Sequence, residues 1–115
     1  MISGEQIREI VLLYKKHGWS LRRVLLSDEL RVSLNEALRE LFGGAEIVSS
    51  PFLNAAWFSR ASRDSHETWE LRHLSETPFA LLAVFTAETD EKTREEIRKE
   101  TQKRLLDTMS NSREK

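Results

Sequence analysis

Residues 68–85, TWELRHLSETPFALLAVF, decide the fold. Two apolar-alternating runs flank Ser75-Glu76-Thr77-Pro78, residue types that favour turns, and the pattern predicts a β-hairpin. Successive side chains of a strand point to opposite faces of the sheet. Glu70 and Arg72 therefore share one face, while Trp69, Leu71 and His73 share the other. An acid, an arginine and a histidine that crowd together along the chain are thus split by the sheet, and a catalytic trio fails on geometry.

If Leu74 and Phe79 flank the turn, Trp69, Leu71 and His73 lie beside Ala80, Leu82 and Val84. Glu70 and Arg72 then lie beside Ala83 and Leu81, near Phe79 and Phe85. A one-residue slip would exchange these faces. Every position from Phe79 to Phe85 is apolar, which predicts a strand in the sheet interior covered on both sides.

Upstream, Ser3 with Gln6 forms a capping box, and Ile7, Ile10, Val11 and Tyr14 follow at helical spacing. Lys15, Lys16 and His17 suit the negative end of that helix, and Gly18 supplies a left-handed stop. Trp19 to Ser27 reads as a strand, with Arg22 and Arg23 on opposite faces. A second helix runs from Ser27 or Asp28 to Gly43-Gly44; a second capping box, Ser33 with Glu36, allows a later start at Leu34. Residues 45–50 form a short strand parallel to the first, and Leu53 to Arg60 form the next. Residues 61–67 read as an exposed polar loop. The last helix, about Thr89 to Met109, is laced with acid-before-base pairs and carries few apolar residues.

The elements add up to an α+β fold in the order αβαββββα. It has two layers: a mixed, mainly antiparallel sheet of about five strands with about three helices. Residues 1–109 form a single domain and 110–115 a frayed tail.

The chain has 115 residues, of which 39% are hydrophobic and 32% charged, enough for one core without staples. A net charge of −1 offers no overall attraction for nucleic acid or anionic lipid. With no cysteine, thiol catalysis, disulfides and thiolate metal sites are excluded. No stretch has the order of a signal peptide or the length of a membrane span, so a cytoplasmic location is the default.

The leading functional expectation is a non-catalytic binding or assembly module. Three helices, one of them very polar, do not suffice to cover both faces of the sheet, and an open apolar face marks a protein partner or a second copy. The contact residues expected on that face are Glu70, Arg72, Phe79, Leu81 and Phe85. A second expectation is a nucleic-acid-binding module that gathers Lys15, Lys16, Arg22 and Arg23 around Trp19, joined by Arg60 and Arg63. The bland reading of the same residues is a solvated charged surface.

A third expectation is a metal-dependent enzyme. Trp69-Glu70-Leu71-Arg72 resembles the E-x-K strand of restriction-endonuclease-like nucleases, with Asp64 as a metal ligand. It departs from that pattern in placing Arg72 where lysine belongs and Asp64 in a loop. His17, His66 and His73 fall on separate elements with no metal-binding spacing. No catalytic residue, metal ligand or cofactor is assigned, and no membrane contact is expected.

Overall fold

In the computed structural model, residues 2–51, 53–75 and 79–113 are described. Their elements are α1 (Gly4–Lys16), β1 (Ser20–Leu26), α2 (Asp28–Val32), α3 (Glu36–Phe42), β2 (Glu46–Ser49), β3 (Ala55–Ala61), β4 (Glu67–His73), β5 (Ala80–Phe85) and α4 (Glu91–Arg113). The five strands form one sheet in the order β2-β1-β3-β4-β5. β1 and β2 are parallel and every other pair is antiparallel. The α+β class and the order αβαββββα hold, with four helices in place of three.

The extra helix comes from a break in the second one. Ser27 caps α2 at Leu30 N–H, and the Ser33 hydroxyl turns back to the Leu30 carbonyl at 2.8 Å. Asn35 then caps a new helix by accepting from Leu38 N–H at 2.8 Å. Small polar side chains compete with the helical ladder in this way. The expected capping box of Ser33 with Glu36 does not form, since Ser33 ends α2 and Asn35 starts α3 at Glu36. α1 is built as its sequence implies: Ser3 and Gln6 close the capping box, and Gly18 takes φ +87° after the C-cap.

The sheet is apolar on both sides, and each side has its own roof. Ala56 and Phe58 of β3 pack with Val24 and Leu26 of β1 beneath Ile7, Val11, Leu30, Leu38 and Phe42 of α1–α3. Ala55 and Trp57 point the other way and pack with Leu25, Trp69, Leu71 and Phe85 beneath Leu105 of α4. The expected two layers are therefore three, because β3 is buried from Ala55 through Ser59 without alternation. Each fully buried large side chain in these cores contributes roughly 1.5–3 kcal/mol by leaving water.

Two features of β-pairing differ from expectation. β5 is not interior; it forms an edge beside β4. Its register is also slipped by one residue, with Trp69 opposite Ala83, Glu70 opposite Leu82, Leu71 opposite Leu81 and Arg72 opposite Ala80. Core packing sets this register, since it places Phe85 and Ala83 under α4, where both are buried. The expected turn residues Glu76, Thr77 and Pro78 lie outside the described residues. The other difference is a bulge in β1: Leu21 pairs with Phe58 and Arg23 with Trp57, leaving Arg22 extra. An extra residue puts two neighbours on one face. Arg22 and Arg23 accordingly both reach the α4 side, which corrects their assignment to opposite faces.

Candidate functional site

Three helices cover one side of the sheet, and they stop short of β5. α1 packs over β1, and its Tyr14 stacks on Phe58 of β3 with ring centroids 4.0 Å apart. The Tyr14 hydroxyl donates to the Glu70 carboxylate on β4, which marks the outer limit of the roof. Burial first, and then the bond to an anionic partner, push the Tyr14 hydroxyl well above the usual phenol range. Beyond Glu70, on the same face, stand Ala80, Leu82 and Val84 of β5. Leu82 is 61% exposed and Val84 59%, unusual for strand residues of this type.

The backbone of those three residues is also open. His73 N–H donates to the Phe79 carbonyl at 2.9 Å, so Phe79 faces β4 with its main chain. In an antiparallel ladder alternate residues face the same neighbour. Leu81, Ala83 and Phe85 therefore bond to β4, and Ala80, Leu82 and Val84 direct their N–H and C=O groups away from the sheet. From Phe79 to Ala87 there is no charge, no glycine and no proline, and the β4–β5 pairing has no bulge. Such devices ordinarily guard a sheet edge. The opposite edge, β2, is only four residues long and carries Glu46.

Beside this strip, Gln6, Glu9, Ile10 and Leu13 of α1 face Arg72 and Ser75 across a shallow groove of about 250 Å³. Leu13 is 55% exposed and extends the apolar surface along the helix. Arg72 donates through Nη1 to the His73 carbonyl, which turns its head along the strand.

The expected contact residues divide between two faces. Glu70 and Arg72 lie on the α1 side. Phe79, Leu81 and Phe85 pack on the α4 side, with Phe85 fully buried. The slipped register is the cause: it exchanges the odd- and even-numbered residues of β5, so Leu82 and Val84 are the exposed pair.

The basic set is dispersed too. Lys15 Nζ donates to the Leu41 carbonyl at 2.9 Å, toward α3. Arg22 lies over Trp69, with Cζ 5.3 Å from the ring, on the α4 side. Arg23 is held by Glu46 at 2.6 Å and Glu95 at 3.1 Å. Only Arg60 joins Trp19, its Cζ 5.3 Å from the indole, on the α1 side. Trp19, Arg22 and Arg23 thus form no common patch. For the nuclease-like set, Glu70 is engaged by Tyr14, and the Asp64 side chain lies outside the described residues. Among the described residues, no three histidine, aspartate or glutamate side chains gather in a metal-holding arrangement. Among the described residues, no helix is long and apolar enough to cross a membrane.

Arg98 escapes a reading based on apolar spacing. It is buried on the sheet-facing side of α4, with its Cζ 4.1 Å from the Trp69 ring centroid and 5.4 Å from that of Phe85. Its Nη1 bonds Glu91 at 2.7 Å and Glu95 at 3.1 Å. The signal was present in the helical period, since Arg98, Thr101 and Leu105 are spaced i, i+3, i+7 and all three are buried. Burial on its own would raise the Glu95 carboxyl, but hydrogen bonds from Arg23 and Arg98 outweigh it and hold the group below the usual glutamate range.

A depressed folded pKa stabilises the fold above the unfolded value and loses that share as pH falls. Wild type is therefore expected to melt above Glu95→Gln near neutral pH. The gap should close as pH drops below about 4.3, the unfolded glutamate value, and on through the folded one. Thermal unfolding of both proteins across that range checks this; a gap that does not change with pH would show that Glu95 acts by shape alone.

No protein family, curated protein or solved structure matches the chain.

Proposed function

We propose that the protein is a non-catalytic binding module that docks another polypeptide strand along β5. One observation carries this reading: Ala80, Leu82 and Val84 combine outward-facing main-chain groups with exposed apolar side chains. Main-chain hydrogen bonds would supply affinity in strand addition, and alternate side chains would supply selectivity. The shallow groove between Ile10 and Leu13 of α1 and Arg72 of β4 gives an incoming side chain a place to go.

Selection of random peptides displayed on phage tests the reading. Wild type is expected to enrich peptides with apolar residues at alternate positions, which bind as extended strands. Val84→Pro removes an outward N–H that β4 does not use, and proline is tolerated at a sheet edge. That variant should lose the enrichment while its far-UV spectrum is unchanged. Leu82→Lys, an exposed change on the same strip, should do likewise. Enrichment that survives both substitutions, or no enrichment where the edge is shown to be free, overturns the reading.

A further inference from the structure

We infer that the strand docking on β5 is β5 of a second copy of this chain, so that two five-stranded sheets join across a twofold axis into one of ten. This inference rests on β5 being a docking edge and names its occupant. Charge is the first argument. Partner choice between unlike proteins is usually written in charge, by attraction to the right surface and repulsion from wrong ones. From Phe79 to Ala87 the edge carries no charge at all. Such a strand has nothing with which to select a foreign partner's charges. It meets its own copy, however, without placing like charges opposite each other, the main obstacle to self-pairing of strands.

Register is the second argument. A twofold axis normal to the sheet keeps the α1 faces of both copies on one side, so each outward-facing residue must meet another of the same parity. The edge ends at Thr86, whose own outward groups are already engaged: its N–H bonds Thr89 Oγ1 at 3.3 Å and its carbonyl accepts from Arg94 Nη2 at 2.9 Å. Among the described residues, only one register pairs all three open residues with one another and involves no engaged one. It sets Ala80 opposite Val84 of the second copy, Leu82 opposite Leu82, and Val84 opposite Ala80. Antiparallel pairs of this type exchange two hydrogen bonds each, giving about six across the axis. The same register lays Leu82 and Val84 of both copies side by side in one apolar row, covering the side chains that a lone copy leaves in water.

Because Leu82 would face itself, a charge-swap experiment is decisive. Sedimentation equilibrium of wild type over a wide concentration range should show the mass rising toward twice that of one chain. Leu82→Lys and Leu82→Glu, each alone, should weaken association at least about tenfold by setting like charges opposite each other. An equimolar mixture of the two variants should recover the doubled mass as a mixed pair. Far-UV spectra confirm that each variant is folded. A wild type that keeps the mass of one chain throughout overturns the inference, as does a dimer that both single variants leave intact or a mixture that fails to pair. A single-chain wild type that still enriches strand-like peptides overturns only the second copy as occupant. One that enriches none overturns the docking edge as well.

Discussion

Trp57→Ala is expected to lower the free energy of unfolding by roughly 3–5 kcal/mol, the usual cost of a large aromatic removed from a core that relaxes only in part. Trp57 lies in the central strand β3 and is fully buried. Its indole meets that of Trp69 edge-on at 6.0 Å, and its Nε1 donates to Gln102 Oε1 of α4 at 2.9 Å. Alanine would remove the floor on which α4 rests and leave a cavity between α4 and a sheet in which β1 and β4 hold β3 in place. Gln102 is only half-buried, so its amide returns to water and adds little to the loss. A domain of this size has about 5–15 kcal/mol to lose. Urea unfolding should therefore show the midpoint falling by about a fifth or more of its value with the slope retained. Leu82→Ala, measured at a dilution where the chain is single, is the contrasting case, since a surface change of this kind stays within about 0.5 kcal/mol. If Trp57→Ala costs no more than Leu82→Ala, α4 does not bury Trp57 in solution.

These two residues also mark what could and could not be read from the chain. The strand that carries Trp57 follows from the apolar run Ala55-Ala56-Trp57-Phe58, and the α+β class with five strands follows from the pattern of runs along the whole chain. Helix α1 follows from local chemistry alone, because Ser3, Gln6 and Gly18 satisfy its ends without help from distant residues. The exposure of Leu82 did not follow. It depends on the register between β4 and β5, and Phe79 to Phe85 is apolar at every position, so either register buries an apolar set. Only the presence of α4 over Phe85 and Ala83 selects between them, and that is a long-range fact. The β1 bulge is hidden for a similar reason: Leu21-Arg22-Arg23-Val24 contains no glycine or proline to announce it. Its cause lies in the pairing itself, since Leu21 and Val24 both face the α1 core while Arg22 and Arg23 between them both reach the α4 side.

Arg98 offers a second large effect, and its size should depend on what replaces it. Arg98→Ala is expected to destabilise the protein by about 2–3 kcal/mol, through the loss of packing and cation–π contact over Trp69 and Phe85. The cost falls short of that of a fully enclosed ion pair. Glu91 and Glu95 keep side-chain exposures of 75% and 32%, so water can take them back when the guanidinium is gone. Arg98→Met should behave differently. Its unbranched thioether fills the same slot and favours contact with aromatic rings. It also removes a buried charge and an Nε that has no hydrogen-bond partner. Desolvating such a group opposes folding, and exchanging it for an apolar side chain of similar volume is often neutral or better. Urea unfolding should place Arg98→Met within about 1 kcal/mol of wild type and clearly above Arg98→Ala. If the two variants are equally damaged, the charge of Arg98, and not the volume it fills, holds α4 on the sheet.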